Sequence, residues 1–352
     1  MEILNVGLIG FGTGGRVFHA PIITSIDGFN LKSVYTRSEA NKEVLSKYYP
    51  NSNHADDMDM IFNDKDIDLI VVATPNNSHY ELAKKALLQG KHVVVEKPFT
   101  VHTWQADELI SLAKEKNRVL TVHQNRRWDS GYKTVKKVIE SNMLGDLVEY
   151  EAHFDRFRNY IKEGSWKEID SPGNGMLYDL GIHLIDQALH LFGLPKSVFS
   201  HLRSQRKNSN VTDNFEIILF YDKMKVTLKS SMLVREDLPR YILLGNNGSF
   251  VKYGIDVQEE NLKSFKFPND DPNWGAEPES IWGTINTESN GIHVRGTVTS
   301  ENGDYRQYYR DVYESIVEGR EPKVRAQEAR DALRVIELAF ESNEKKCIVH
   351  WN

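Results

Sequence analysis

Residues 3–26, ILNVGLIGFGTGGRVFHAPIITSI, run from an apolar stretch through a block of glycines into a segment whose apolar residues, Val17, Ile22 and Ile26, fall at helical spacing. Few folds accept that order. Gly10, Gly12 and Gly15 of the block Gly10-Phe11-Gly12-Thr13-Gly14-Gly15 match G-x-G-x-x-G. The first glycine permits a tight turn, the second lets backbone approach a pyrophosphate, and the third lets helix pack on strand. The helix N-terminus then faces the anion. An ordinary glycine-rich turn could carry the same letters, but their place between strand and helix favours a dinucleotide site.

The alternation continues. LKSVYT is followed by a helix from about Ser38, DLIVVAT by one over 78–88, HVVVE by one over 103–116, and VLTVHQ closes the series. Short apolar strands alternating with helices predict an α/β Rossmann domain, a doubly wound parallel sheet, over residues 1–123. After Gln124 the period changes to two in VEYEAHFDRFR, SVFSHLRSQ, NFEIILFY and MKVTLKSSML. Residues 124–352 are therefore expected to form an α+β domain with a large, mainly antiparallel open sheet, used for substrate binding and oligomerisation. Helices are expected at 176–191, 305–316 and 326–342, and a long loop at 268–283. A chain of 352 residues is long enough for two cores.

The charge is 44 minus 50, or −6, which favours neither nucleic acid nor an anionic membrane as partner; a small molecule fits better. The basic residues Arg203, Arg206 and Lys207 read as a solvated loop. Cys347 is the single cysteine, so there is no intrachain disulfide or multi-cysteine metal cage, and no metal is expected. The N-terminus has neither a basic region nor a long apolar stretch, and no apolar run approaches the roughly 18 residues of a membrane span. A cytoplasmic protein is expected.

The second strand ends Tyr35-Thr36-Arg37-Ser38, with no acid at its tip. NAD sites place Asp or Glu there, about 20 residues beyond the glycines, to hold the ribose hydroxyls. Arg37 can pair instead with a 2′-phosphate, and the Thr36 and Ser38 hydroxyls can donate to it. NADP is the expected cofactor. Glu39, one residue late, keeps NAD open.

HVVVEKPFT, residues 92–100, ends an apolar strand in Glu96, Lys97 and Pro98. Proline cannot donate to a ladder, so Pro98 marks the point where the chain leaves the sheet and puts Lys97 at the carboxyl edge, where ligands of parallel sheets bind. In GNGMLYDLGIHLIDQALHLFG, residues 173–193, Leu177, Leu180, Leu184, Ala188 and Leu191 form an apolar stripe, whereas Asp179 and His183 share another face. A histidine beside a carboxylate suits acid/base work at an alcohol or ketone, although such a pair is also common as a structural feature.

Together, G-F-G-x-G-G, Glu96-Lys97-Pro98 and D-L-G-x-H at 179–183 resemble the Gfo/Idh/MocA family of nicotinamide-dependent sugar and polyol dehydrogenases, over nearly the whole chain. GRVFHAPII and QNRRWD are similar to its NADP-dependent scyllo-inositol dehydrogenase branch. The resemblance implies that Lys97 points to the reacting carbon with Pro98, often in a cis bond, behind it. It implies that Lys97, Asp179 and His183 are catalytic. It places Thr74, Pro75, Asn76 and His79 near the cofactor, with Glu96 contacting the nicotinamide ribose or steadying Lys97. It also implies a homodimer or homotetramer formed through the outer face of the open sheet.

The expected reaction is hydride transfer between NADP and a cyclic polyol or sugar, scyllo-inositol or its keto form first. His183 would take the hydroxyl proton, Lys97 would polarise the oxygen and Asp179 would orient the imidazole. Asn125, Arg126, Trp128, Asp155, Arg156 and Trp166 have hydrogen-bonding and stacking chemistry suited to a sugar face. Two other functions use this fold: a regulator that binds NADP without turnover, and a glycoside hydrolase assisted by bound NAD.

Overall fold

The computed structural model describes residues 2–351, which divide into two compact units. Unit 1 comprises Met1–Asn125, Gln258–Trp274 and Asp304–Arg330; unit 2 comprises Arg126–Val257, Gly275–Gly303 and Asp331–Asn352. No helix among the described residues is long and apolar enough to cross a membrane.

Unit 1 begins with β1 (Leu4–Ile9), α1 (Ala20–Ile23), β2 (Phe29–Tyr35), α2 (Glu39–Tyr48), β3 (Asn53–Ala55), α3 (Met58–Phe62), β4 (Leu69–Val72), α4 (His79–Leu88), β5 (His92–Val95), α5 (Thr103–Glu115) and β6 (Leu120–Val122). The six strands form one parallel sheet in the order β3-β2-β1-β4-β5-β6. All four residues of β4 are buried, because a parallel sheet covered on both faces needs continuous apolar strands rather than alternating ones. The order reverses between β1 and β4, and ligands of such sheets bind outside the carboxyl ends at that switch.

The first helix differs from the expected one. Gly14–His19 is a π-helical turn, and regular helix occupies only Ala20–Ile23. A wide turn is a recurrent feature of functional sites.

The chain continues through α6 (Ser130–Glu140), β7 (Leu147–His153), α7 (Ile182–Phe192), β8 (Ser197–Arg203), β9 (Asn214–Phe220), β10 (Lys225–Ser231), β11 (Tyr241–Gly245), β12 (Gly248–Lys252), α8 (Gln258–Lys263), β13 (Gly283–Ser289), β14 (Ile292–Val298), α9 (Arg306–Glu318), α10 (Ala326–Lys345) and β15 (Val349–His350). Of these, α8, α9 and the first residues of α10 fold with unit 1. Nine strands make the sheet of unit 2, ordered β14-β13-β12-β11-β7-β10-β9-β8-β15. It is antiparallel except where β7 runs parallel to β10. Tyr150, Ala152, Val226 and Leu228 are buried, whereas the flanking Glu149, Glu151, Lys225 and Lys229 keep partial exposure, as one apolar sheet face requires.

Several sequence expectations shift. The helix expected at 176–191 begins with a π turn, Leu177–Gly181, before α7, and α7 is buried almost all round rather than along one stripe. Helices α6 and α8 and strands β11 to β14 come in addition to the elements expected from the sequence. The loop at 268–283 contains two short 3-10 turns and buries Trp274, whose indole N–H donates to Gln258 Oε1 at 3.0 Å. Arg206 is not solvated. It is 5 % exposed, with its guanidinium on Glu168 at 2.8 Å and Asp213 at 2.9 Å.

A second buried pair anchors α7. The Arg127 guanidinium donates Nη2–H to Asp186 Oδ1 at 2.7 Å and Nε–H to Oδ2 at 2.8 Å. Removing one partner of such a pair leaves a charge in a low-dielectric interior. Asp186→Ala is therefore expected to lower the unfolding free energy by about 3–5 kcal/mol in urea titrations; a loss under about 1 kcal/mol would show the pair to be idle.

Candidate active site

Backbone hydrogen bonds align the carboxyl ends of the central strands of unit 1: Gly10 N to Tyr35 O at 3.1 Å, Ala73 N to Ile9 O at 2.8 Å, Glu96 N to Val72 O at 2.9 Å and His123 N to Val95 O at 2.8 Å. Gly10 has φ +102°, and a Cβ on it would lie 2.4 Å from the Ala73 carbonyl oxygen. On Gly15 a Cβ would lie 2.1 Å from the Gly10 carbonyl oxygen. On Gly12 it would meet nothing within 4 Å. The first and third glycines thus serve close packing and the second leaves backbone open to a ligand, which fits a pyrophosphate. Thr13 and Gly14 flank that opening. Phe11 turns into the core, edge-on to Tyr49 at 6.0 Å.

Beyond β2, Thr36 is buried and its hydroxyl oxygen accepts from Ser38 N at 3.4 Å. The Ser38 hydroxyl oxygen accepts from Asn41 N and caps α2, which leaves its proton able to donate elsewhere. Arg37 is exposed and donates Nε–H to the Tyr35 hydroxyl at 2.8 Å; among the described residues no carboxylate pairs with it. Glu39 lies along α2 with its carboxylate on Lys42 at 2.8 Å.

After β4, the Thr74 and Ser78 hydroxyls meet at 2.7 Å, and Pro75 precedes a 3-10 turn over Asn76–Ser78. His79 is fully buried, with Nε2 2.9 Å from the Thr74 carbonyl oxygen and Nδ1 2.8 Å from that of Pro98. Burial pushes its pKa down against the pull of the two carbonyls. One imidazole thereby ties the β4 end to the segment after β5. The Lys97–Pro98 peptide is cis, and Lys97 is half-buried.

Glu96 carries the densest network of this edge. Its Oε1 lies 2.9 Å from His19 Nε2 and 3.1 Å from His123 Nδ1, and its Oε2 accepts from Lys97 N at 2.9 Å. His19 Nδ1 is 2.5 Å from the Tyr309 hydroxyl. Burial raises the Glu96 carboxyl, but the hydrogen bonds from His123 and His19 outweigh it and hold the group well below the usual carboxylate range. Burial above all pushes His123 down to about 4, against the pull of Glu96. His19, Glu96 and His123 also keep donor atoms within 4.8 Å of one another, a spacing that could hold a metal ion. None of His19, His123 and Tyr309 figured among the sequence candidates. Two of them stood in view, in GRVFHAPII and VLTVHQ; for His123 the signal was a histidine at an apolar strand's carboxyl end, and His19, in the π turn, had none of that kind.

The remaining candidates lie in unit 2, apart from Asn125, which is 4 % exposed at the end of unit 1. His183 is buried at the start of α7, and Asp179 sits in the π turn before it with Oδ1 accepting from Lys167 Nζ at 2.7 Å. Lys167 was not anticipated. Trp166 is half-buried and lies beneath the Lys167 ammonium, 5.7 Å from the ring centre. Trp128 is buried. Arg126, Arg156 and Arg240 gather around the Phe154 ring at 5.0, 5.4 and 3.9 Å. Asp155 accepts from Ser231 N at 2.9 Å and meets His153 Nδ1 at 2.8 Å, on the wall of a cavity of about 260 Å³. Asp155 thus faces the β9–β10 side of the sheet, with His201, Glu216 and Lys229 as neighbours on that wall.

The Glu96 network makes stability depend on pH. The folded pKa values of both Glu96 and His123 lie below their unfolded values, so the unfolded chain binds more protons as pH falls and stability drops. For His123 the window runs from about 6.5, the unfolded value, down to about 4. Glu96 adds a loss below about 4.3. In urea unfolding followed across that range, His123→Asn should flatten the slope between pH 6.5 and 4 by up to ~1.4 kcal/mol per pH unit, while His79 and His92, depressed in the same direction, keep the remainder. An unchanged slope would mean that His123 is not neutral in the folded protein.

Residues 4–124 match the family described as "Oxidoreductase family, NAD-binding Rossmann fold", and residues 136–350 match "Oxidoreductase family, C-terminal alpha/beta domain". The chain is 37% identical over 346 residues to scyllo-inositol 2-dehydrogenase (NADP(+)) IolW of Bacillus subtilis, covering 98% of this chain and 95% of that one. It is 41% identical over 340 residues to the uncharacterized oxidoreductase YdgJ of Escherichia coli, covering 96% of each. A solved structure described as oxidoreductase yvaA of Bacillus subtilis superposes with a TM-score of 0.94 at 36% identity, covering 100% of this chain and 99% of that one. With a parallel six-stranded sheet, an open glycine turn and both domains matched, the chain belongs to the Gfo/Idh/MocA family of oxidoreductases.

Proposed function

We propose that the protein is an NADP-dependent dehydrogenase that transfers hydride between the nicotinamide and a cyclic polyol or sugar, scyllo-inositol or its keto form first. The observation that carries this reading is the carboxyl edge of the parallel sheet, where the glycine turn follows β1, Arg37 follows β2 and Lys97 follows β5. The similarity to IolW supports the substrate class.

The glycine turn and the start of its π segment would hold the pyrophosphate. Arg37, with Nε on Tyr35, presents its remaining N–H groups to a 2′-phosphate, and Thr36 and Ser38 flank it. Glu39, one residue past Ser38 and exposed beside Lys42, leaves the strand tip to Arg37 and keeps NAD open as a second cofactor. Thr74 to Asn76 and His79 form the adjacent edge toward the nicotinamide. When bound, the cofactor supplies the hydride acceptor for oxidation and the donor for reduction.

In oxidation, His183 takes the substrate hydroxyl proton at a ring nitrogen, and in reduction it returns the proton to the same oxygen. Lys97 donates an N–H to that oxygen and stabilises the charge that develops on it. Asp179, whose Oδ1 accepts from Lys167 Nζ, is assigned the orienting of that imidazole. Asn125, Arg126, Trp128, Asp155, Arg156 and Trp166 are the proposed substrate contacts.

Two measurements test this reading. Arg37→Ala should weaken NADPH binding by about 10- to 100-fold, the worth of a charge-assisted hydrogen bond, and leave NADH nearly unchanged; equal losses would refute the phosphate assignment. On a panel of inositols and sugars followed by nicotinamide absorbance, the wild type should turn over at least one cyclitol. His183→Ala should lose a factor of about 10² to 10⁴ in kcat with NADPH binding intact, and full turnover would reject the general-base role.

A further inference from the structure

Glu96 packs on the glycine turn beside Lys97, and three other segments of unit 1 contribute to its network. His19 comes from the π turn after β1, His123 from the end of β6, Tyr309 from α9 and Lys97 from the chain itself. The Glu96 side chain also packs on the turn: a Cβ on Gly14 would lie 3.7 Å from its Cγ and Oε1.

The hydrogens of this network can be counted. Glu96 Oε1 faces two ring nitrogens, so as a carboxylate it accepts from both. His123 then carries its proton on Nδ1. Its Nε2 is buried with no hydrogen-bond partner among the described residues, which a bare lone pair tolerates better than an N–H would. His19 carries its proton on Nε2, and its Nδ1 accepts from the Tyr309 hydroxyl, whose own pKa burial pushes well above its usual value. Every proton has one acceptor, and the second carboxylate oxygen is left for the Lys97 backbone N–H. Tyr308 packs edge-on to His123 at 4.8 Å, and the Lys97 charge reaches both His79 and His123.

We propose that His19 and His123 are positioning residues for Lys97: together they fix the Glu96 carboxylate so that its free oxygen holds the Lys97 backbone at the sheet edge, with Tyr309 setting the His19 tautomer. This rests on the reading of Lys97 as catalytic. A purely structural role for the two imidazoles would require only their shape, whereas the positioning role requires one N–H from each at a defined atom.

The test substitutes each histidine in two ways in the full-length chain. His19→Gln and His123→Asn keep an N–H near the position of the imidazole donor, and His19→Leu and His123→Leu remove it. In the leucine variants kcat on the best cyclitol should fall at least tenfold, with the NADPH Kd within about threefold of wild type and a new loss of activity on the acid side of the pH profile as Glu96 becomes protonatable. The amide variants should recover kcat to within about threefold, as a retained donor to a charged acceptor predicts. Leucine variants with full kcat, or amide variants no better than leucine, would overturn the proposal. Two readouts do not depend on turnover: the Glu96 carboxyl titration by carbon NMR, and the rate at which Lys97 is acetylated by acetic anhydride, read by mass spectrometry. In the leucine variants both should shift, and in the amide variants both should return. If wild type oxidises no polyol, the functional reading of Lys97 fails, and these two readouts still decide whether the imidazoles position it; unchanged values would sink the network. Tyr309→Phe, which keeps the ring and removes the hydroxyl, should shift both readouts in the same direction as His19→Leu by a smaller amount, and no shift would remove Tyr309 from the network.

Discussion

A carboxylate at the end of an apolar strand is costly unless N–H groups meet it, and three groups meet Glu96. Each comes with a geometric demand. The β1 segment must enter its π turn early enough to aim His19 back at β5, β6 must end level with β5, and α9 must lie close enough for Tyr309 to reach His19. The glycines satisfy the first demand, since Gly10 and Gly15 bring the turn within contact of the β4 end and of itself. The same packing that opens the backbone at Gly12 therefore also sets the strand end that carries Lys97. Binding chemistry and fold share one set of contacts here.

Unit 2 meets a different requirement. Its sheet has one buried face, and ions near that interior appear in closed pairs: Arg127 with Asp186, Arg206 with Glu168 and Asp213, and Lys252 with Glu277 at 2.6 Å. Such pairs contribute less to net stability than their number suggests, because desolvation offsets much of the attraction. Their effect is directional: Arg127–Asp186, Arg206–Glu168 and Lys252–Glu277 each join segments 25 or more positions apart at one relative placement. His153, between Glu151 and Asp155 on the partly exposed face, is a looser case, and its pKa is raised because those two carboxylates outweigh the opposing effect of burial.

Residue patterns exposed much of the fold in advance. Continuous apolar strands of four to six residues announced the parallel sheet, and period-two segments announced the second one. Strand β14 is largely exposed, and a strand with neither face buried has no alternation to read, whereas β11 and β13 alternate buried with more exposed residues and carry a legible period. The helix α6 carried local signals too, since Asp129 stands at its N-cap and the buried Gly131, Thr134, Val135 and Val138 fall at helical spacing. Arg206 was misjudged because its neighbours in sequence are polar, whereas its partner Glu168 lies 38 positions away.

By itself, the order of residues determined the elements whose cause is local: the strand and helix alternation, the glycine turn, the strand tip with Arg37 in place of an acid, and the lysine stopped by a proline. Tertiary structure alone decided which histidines reach Glu96: the parallel sheet brings the carboxyl ends of β1, β5 and β6 to one side, and His19 and Tyr309, separated by 290 positions, meet because α9 packs beside α1. No periodicity encodes such a meeting. It follows from packing apolar faces first, after which the buried polar groups must find partners among whatever residues that packing brings near.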